Sequence, residues 1–253
     1  MFIRTPQNYI EEQPSTFSRC SFLKFLNDHF INSLSHFVWP EKCPVCGKIG
    51  LSCCESCMRS VVFPLAPFCA KCGGPYGLQC CSDPIPCNAA SLHDGISREL
   101  LINLKYKNVR SLGIPMGRFM GETFKVPDTD VLIPVPLHKS SKREYNQSAL
   151  LAEGTSLVWK IPVDAKVLKW KKDLMPQVGR TSPARYMMPT DAMKISCSLE
   201  GTSVVIVDDV YTTGNTLRAA MSAVEAAGGK VSSLLVWSRR IASAENEAAW
   251  AGV

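Results

Sequence analysis

The fold is decided by the stretch Val204-Val-Ile-Val-Asp-Asp-Val-Tyr-Thr-Thr-Gly-Asn-Thr216. Four consecutive apolar residues without alternation are typical of a strand buried on both faces, as in a parallel sheet. Asp208 and Asp209 end this run, and a short loop then leads into a helical pattern. Because ligands of open α/β sheets bind at the carboxyl ends of the strands, the stretch predicts an α/β fold with a ligand site at this loop.

The loop supplies the donors and acceptors that a sugar phosphate needs. Gly214 lets backbone N–H groups approach a ligand closely, and the start of the following helix favours an anion. Thr212, Thr213 and Thr216 add hydroxyl donors, and the two carboxylates accept hydrogen bonds from sugar hydroxyls. We therefore interpret the stretch as a sugar-phosphate cradle.

Three other interpretations of the acidic pair are weaker. A Walker B strand needs a P-loop, and the chain contains no G-x-x-x-x-G-K-[ST] motif. A receiver domain also has adjacent acids after its first strand, but only 37 residues follow Thr216, too few for the rest of such a domain. An acidic turn with an N-capping threonine does not explain why acids, threonines and glycine all fall where a phosphosugar needs them.

The composition fits one α/β domain and a small additional module. The chain has 253 residues, 46% of them hydrophobic, and a net charge of +6. This mild basicity permits nucleic-acid or phosphate ligands without requiring them. The first dozen residues lack the apolar run of a signal peptide, and no stretch approaches the roughly 20 apolar residues that span a bilayer. We therefore expect a cytoplasmic protein without a transmembrane segment.

Ten of the twelve cysteines lie between residues 43 and 87, which in a reducing compartment indicates metal rather than disulfides. Two C-x-x-C pairs supply the four sulfurs of a tetrahedral zinc site; an iron–sulfur cluster and redox-active dithiols are the alternatives. We predict one or two structural zinc sites, the first formed by Cys43, Cys46, Cys54 and Cys57. The second would use Cys69 and Cys72 with two of Cys80, Cys81 and Cys87, of which we favour Cys81 and Cys87; interleaved sites are a further alternative.

Three segments outside these motifs have functional and structural interpretations. Lys139 and Arg143 follow an apolar strand, where they would hold a pyrophosphate or form only solvated surface. Trp170 among lysines is a stacking patch for single-stranded nucleic acid or part of a lysine-protected edge strand. Residues 173–190 are rich in proline and arginine and are typical of a lid.

In these features the chain resembles the ComF competence-protein family (ComFC-like), which joins a double zinc ribbon to a type I phosphoribosyltransferase domain. The resemblance covers about residues 36–240. The chain departs from the family at Glu144, where the family has glycine, at Met188, where it has asparagine, and in the irregular fourth cysteine pair. The matching segments are Leu104-Lys-Tyr106, Ile133-Pro-Val-Pro-Leu137, Arg143 with Asn146 and Gln147, Gln177 with Arg185, and Val207 to Thr216.

The resemblance implies a fold and a division into domains. The fold is a type I phosphoribosyltransferase-like parallel sheet flanked by helices, with a small N-terminal cysteine-rich zinc ribbon module in the position where related enzymes have their hood. The implied divisions are a tail and amphipathic helix at 1–35, a double zinc ribbon at 36–95, the phosphoribosyltransferase-like domain at 96–241, and a C-terminal tail at 242–253.

The resemblance also implies the ligand, 5-phosphoribosyl 1-pyrophosphate (PRPP) or a nucleotide. Asp208 and Asp209 would contact the ribose hydroxyls, and Mg²⁺ would bridge to the pyrophosphate. Thr212, Thr213, Gly214, Asn215 and Thr216 would enclose the 5′-phosphate, His138, Lys139 and Arg143 would form the pyrophosphate-side loop, and Gln177 and Arg185 would belong to a lid.

Two functions follow from this resemblance. The family is implicated in natural transformation, which implies binding of single-stranded DNA and contacts with DNA-uptake or recombination proteins. The alternative is an active phosphoribosyltransferase that uses PRPP and Mg²⁺ on a base or amine acceptor.

Overall fold

The computed structural model describes residues 42–50, 53–61, 63–77, 80–138, 141, 143–171 and 189–241. The expectations for the N-terminal helix, Lys139, the lid residues Gln177 and Arg185, and the C-terminal tail lie outside these residues. Within the described ranges, no helix is long and apolar enough to cross a membrane.

The described chain alternates between helices and strands. The helices are α1 (Glu55–Val61), α2 (Gly95–Tyr106), α3 (Gly113–Thr123), α4 (Gln147–Trp159) and α5 (Asn215–Ala226), and a 3₁₀ turn (Arg110–Leu112) precedes α3. The strands are β1 (Phe68–Cys69), β2 (Pro86–Leu92), β3 (Val131–Pro134), β4 (Leu168–Trp170), β5 (Met193–Ile195), β6 (Ser203–Tyr211) and β7 (Lys230–Arg239).

Five of these strands form the central sheet in the order β1-β2-β7-β6-β3. The strands β2, β7, β6 and β3 run parallel, and β1 lies antiparallel to β2 at one edge. The strands β4 and β5 form a separate antiparallel pair. The predicted α/β class with a mostly parallel sheet flanked by helices is therefore confirmed.

The strand predicted from the apolar run lies inside this sheet, between β7 and β3. Val204 and Ile206 pack into the core on one face, together with Leu217 and Met221 of α5. Val205 and Val207 pack on the other face, against a cluster formed by α2, α3 and α4. The absence of alternation in the sequence thus reflects burial on both faces.

The helices α3 and α4 cross at close range because glycines face each other. A Cβ added to Gly117 would lie 2.1 Å from the carbonyl oxygen of Leu151, and one on Gly154 would lie 2.3 Å from that of Ile114. The hydroxyl of Thr155 also donates to the Gly117 carbonyl at 3.0 Å. This contact holds α4 against α3, and the first turn of α4 places Ser148 beside Asp208.

The cysteine-rich segment contributes to the sheet and to both cores. The strands β1 and β2 belong to the central sheet, which the cysteine spacing did not predict. Met58 of α1 packs with the α3 and α4 side chains, and Phe68 and Ile85 pack on the α5 face. The division between ribbon and domain at residues 95 and 96 stays a proposal, since strands on both sides of it share one sheet.

The edge strand that contains Trp170 is short. It is β4, and it begins only at Leu168. The carboxylate of Asp164 accepts hydrogen bonds from the backbone N–H groups of Lys166 at 2.9 Å and Val167 at 3.1 Å. These bonds fold residues 164–167 into a turn, as aspartate often does.

Candidate functional site

The acidic pair lies at the carboxyl end of β6, and Asp208 is buried there with only 8% exposure. Its Oδ1 accepts hydrogen bonds from the Ser148 hydroxyl at 2.9 Å and from the backbone N–H of Asp209 at 2.8 Å. Burial and the neighbouring charge of Asp209 raise the pKa of Asp208 to about 7, against the effect of these hydrogen bonds and of Lys105. The carboxyl therefore exchanges its proton close to neutral pH.

Asp209 forms an ion pair that the sequence did not predict. Its Oδ1 lies 2.7 Å from the Nζ atom of Lys105, and both side chains are largely buried. Lys105 belongs to the last turn of α2 and is 104 positions away in the chain. Lys105 entered the sequence analysis only within a family segment, because nothing local indicates that α2 ends beside β6.

The loop after β6 requires a glycine at position 214. Gly214 has a positive φ of 73°, and a Cβ there would lie 2.6 Å from the hydroxyl of Tyr211. An amino acid with a side chain would thus be both strained and obstructed. Thr212 and Thr213 are exposed and Asn215 is half-buried.

The guanidinium of Arg218, in the following helix, forms two hydrogen bonds with the loop. The Nη2 atom of Arg218 donates to the Thr213 carbonyl and to the Asn215 Oδ1 atom, each at 2.6 Å. Thr216 lies half-buried in the first turn of α5. These bonds tie the loop to α5, and a helix N-terminus beside the exposed hydroxyls of Thr212 and Thr213 can receive an anion.

Arg143 and His138, which the sequence analysis assigned to a pyrophosphate-side loop, contact different parts of the protein. The Nη1 atom of Arg143 donates to Gln147 Oε1 at 3.2 Å, and its guanidinium lies over the Tyr106 ring at 5.1 Å. This places Arg143 between α2 and α4, the helices that supply Lys105 and Ser148. The ring of His138 instead contacts the edge of Trp170 at 5.1 Å.

Trp170 is held by the protein. Its indole N–H donates to the Pro136 carbonyl at 3.0 Å, and the ring packs against the core beside β6. Lys169 lies directly opposite Lys194 across β4 and β5, and both lysines are exposed. The positive surface on this small sheet therefore comes from the two lysines, with the indole behind them.

The cysteine thiols form two groups of four, and the sulfur atoms of each group lie within 4.8 Å of one another. Neighbouring sulfurs are 3.6 Å apart in the pair Cys46 and Cys54, and 3.4 Å apart in Cys72 and Cys80. A zinc tetrahedron with bonds of about 2.3 Å places its sulfurs about 3.8 Å apart. Both groups can therefore hold zinc.

Hydrogen bonds favour thiolates in both groups, and in the first group the Ser56 hydroxyl and other neighbours lower the pKa of Cys54. Burial raises the pKa of Cys43, but backbone N–H groups of Cys54, Cys46 and Val45 outweigh it and lower that pKa to about 6. In the other group burial also raises the pKa of Cys69, but backbone N–H groups and a neighbouring thiol outweigh it and lower that pKa to about 6. Thiolates are the form that binds zinc.

The first group is the predicted set of Cys43, Cys46, Cys54 and Cys57, but the second differs from the prediction. It consists of Cys69, Cys72, Cys80 and Cys81, so the assignment of Cys87 was wrong. Cys87 belongs to β2, where it is paired with Leu234 and fully buried. Burial raises its pKa well above the usual value, which makes it an inert core thiol. Sequence spacing could not separate Cys80 from Cys87 because the choice depends on where β2 begins.

One family of known proteins matches the C-terminal half of the chain. Residues 134–252, just under half of the chain, match the family of the phosphoribosyl transferase domain. This match supports a phosphoribosyltransferase domain that contains β6 and its loop. A search of curated proteins found no match.

Several solved structures are weakly similar to parts of the chain. Adenine phosphoribosyltransferase from Thermoanaerobacter pseudethanolicus is 19% identical with a TM-score of 0.36, over 53% of this chain and 72% of that one. Purine phosphoribosyltransferase from Pyrococcus horikoshii is 20% identical with a TM-score of 0.30, over 55% and 86%. UMP synthase from Leishmania donovani is 17% identical with a TM-score of 0.35, over 71% and 31%. At these TM-scores the likenesses carry no functional conclusion.

Proposed function

We propose that the protein binds PRPP, together with Mg²⁺, at the carboxyl end of β6. The observation that carries this proposal is the order of groups along one strand end. Three groups follow one another within residues 208–216. They are the buried carboxyl of Asp208, which accepts from Ser148, the carboxylate of Asp209, which is paired with Lys105, and the loop before α5. The family match over residues 134–252 supports it.

Each part of PRPP has a group of matching chemistry. Asp208 and Asp209 would accept hydrogen bonds from the ribose hydroxyls, and the loop of residues 212–216 would surround the 5′-phosphate with N–H and hydroxyl donors. Arg143, with His138 and Lys139, would face the pyrophosphate. Mg²⁺ would neutralise the pyrophosphate charge when bound. In this proposal residues 96–241 form the ligand-binding domain and residues 36–95 the metal-binding ribbon.

Calorimetric titration with PRPP in the presence of Mg²⁺ tests the proposal. The wild type should bind. The double variant Asp208→Asn/Asp209→Asn should lose at least about a hundredfold in affinity, because it lacks both carboxylates that would accept hydrogen bonds from the ribose hydroxyls. Glu153→Gln, an exposed acid on α4, is the matched control and should bind like the wild type. Equal affinity of all three proteins would refute the assignment of the site.

We further propose a role in natural transformation, acting in the cytoplasm on single-stranded DNA together with DNA-uptake or recombination proteins. The support is the resemblance described above, the net charge of +6, and the exposed lysines Lys169 and Lys194 on β4 and β5. Anisotropy of a labelled oligonucleotide should show binding at low salt that weakens steeply as salt is added. Lys169→Gln/Lys194→Gln should reduce that slope, and lack of any binding at low salt would contradict the DNA role.

Transfer of the phosphoribosyl group is a second candidate function. It is favoured by Asp208, whose pKa of about 7 suits a group that exchanges a proton near neutral pH. Release of pyrophosphate from PRPP and Mg²⁺ across a panel of bases and amines tests it, with Asp208→Asn as the inactive reference. A panel without release above that reference would leave PRPP as a bound ligand only.

A further inference from the structure

A cavity of about 560 Å³ lies between the second cysteine group and the loop after β6. Residues 72–74, which begin with Cys72 of the second group, and residues 211–213 line it. The remaining lining residues are three arginines: Arg218, Arg239 and Arg240. No acidic side chain is among the described residues that line it, so the cavity is positively charged.

The cysteine-rich segment fixes one of these arginines in place. The guanidinium of Arg239 lies 3.8 Å from the centre of the Phe68 ring, and its Nη2 atom donates to the Gly73 carbonyl at 2.9 Å. Both partners adjoin cysteines of the second group. The Nε atom is buried and has no hydrogen-bond partner among the described residues, while the side chain of Arg239 also lines the cavity.

Tyr211 contacts both the turn of residues 72–74 and the loop after β6. Its ring meets Phe68 edge-on at 4.6 Å. Its hydroxyl lies 3.7 Å from the Cβ position of Gly73 and 2.6 Å from that of Gly214. The second cysteine group and the loop therefore share one continuous set of contacts, and the shape of the turn determines where the Arg239 guanidinium lies.

We propose that this cavity is an anion subsite completed by the second cysteine group, in which Arg239 binds a phosphate group of the ligand on the loop. Guanidinium groups form bidentate, charge-assisted bonds with phosphate, and Thr212 and Thr213, which also line the cavity, supply hydroxyl donors. The inference rests on the proposed function in taking that group to be the 5′-phosphate of PRPP. It adds that a metal held by the ribbon controls phosphate affinity.

Calorimetric titration of the zinc-loaded full chain with ribose 5-phosphate tests the subsite. Arg239→Gln should weaken binding by about tenfold or more, as expected when a charge-assisted hydrogen bond is lost, and should retain its zinc by elemental analysis. Arg118→Gln, an exposed arginine of α3, is the matched control and should bind like the wild type. Binding of magnesium pyrophosphate, which lacks the 5′-phosphate, should not change in either variant.

A pair of cysteine variants tests the role of the metal. Cys46 and Cys72 are the exposed thiols of the first and second groups. Cys72→Ser should lose the second zinc and bind ribose 5-phosphate about tenfold or more weakly, whereas Cys46→Ser should lose the first zinc and keep its affinity. If Cys72→Ser does not fold by circular dichroism, Arg239→Gln still decides the phosphate contact.

The outcomes separate the subsite from the proposed function. Equal ribose 5-phosphate affinity in the wild type and Arg239→Gln overturns the subsite, while PRPP binding that depends on Asp208 leaves the proposed function standing. Ribose 5-phosphate binding that depends on Arg239, without any Asp208-dependent PRPP binding, supports the subsite and overturns the proposed function. Absence of binding of both ligands to the zinc-loaded wild type overturns both.

Discussion

Replacing Asp208 by asparagine should stabilise the fold, and the gain should grow as the pH rises. The pKa of this carboxyl is raised from 3.8 to about 7, first by burial and then by Asp209. At roughly 1.4 kcal/mol per tenfold change in proton affinity, that difference corresponds to about 4 kcal/mol of stability lost when the group is charged. Asparagine carries no charge, and its Oδ1 can still accept from Ser148 and from the Asp209 N–H.

The pH range of the effect follows from the two pKa values. Below pH 3.8 the carboxyl is protonated in both the folded and the unfolded chain, so its burial costs little. Between pH 3.8 and about 7 only the unfolded chain releases the proton, which lowers the free energy of unfolding of the wild type. Above about pH 7 both forms are charged and the loss stays constant. Asp208→Asn should therefore gain about 1.5 kcal/mol at pH 5 and about 4 kcal/mol at pH 8.

Urea unfolding followed by circular dichroism at pH 5 and pH 8 measures this difference. Asp209→Asn is the control with the opposite expected sign, because it leaves Lys105 largely buried without a carboxylate and should cost about 2–4 kcal/mol. Both variants should lose the rise in melting temperature that PRPP gives the wild type. A gain from Asp208→Asn that is the same at both pH values, or a net loss at pH 8, would refute the burial argument.

Two further predictions concern the metal groups and the helix crossing. Wild-type protein purified without added metal should contain two zinc ions per chain by elemental analysis, and Cys80→Ala should lose one of them whereas Cys87→Ala keeps both, since Cys87 stands outside the groups. Gly117→Ala should destabilise the fold by about 2–3 kcal/mol, because the new methyl group would meet the Leu151 carbonyl. Gly201→Ala, where no atom lies within 4 Å, should cost about 1 kcal/mol from its backbone strain alone, and equal losses in the two glycine variants would contradict the close crossing.

The sequence predicted the features that depend on local pattern. The apolar run before Asp208 predicted a strand buried on both faces, and that strand is β6. The helical pattern predicted after the loop is α5. These elements are recognisable because their burial is regular along the chain.

The contacts that build the site could not be predicted in the same way. Lys105 reaches Asp209, and Ser148 reaches Asp208, only because α2 and α4 end at the same edge of the sheet as β6. Arg239 was not singled out because an arginine at the end of an apolar strand is usually solvated. Its role depends on Phe68, which lies 171 positions earlier, between two cysteine pairs.

In the cysteine-rich segment, too, the sequence predicted the local feature but not the one that depends on tertiary contacts. Its spacing predicted the first group of four thiols but gave no sign of β2, whose sequence Pro-Cys-Asn-Ala-Ala-Ser-Leu is neither strongly apolar nor alternating. The strand forms because β7 offers a parallel partner, with Cys87 opposite Leu234. Tertiary pairing, rather than local preference, made Cys87 a core residue and left Cys80 to the metal group.

Positive side chains lie on both faces of the sheet at the end of β6, with the acidic pair between them. On the face of α2 and α4, Lys105 and Arg143 are positive, and on the face of α5 and the cysteine turn, Arg218 and Arg239 are positive. In the proposed complex these charges would match a ligand with anionic groups at its two ends and hydroxyl donors in its middle. PRPP, a ribose with a 5′-phosphate and a 1-pyrophosphate, has its groups in this order, whereas a simple phosphate has one anionic end and a plain sugar has none.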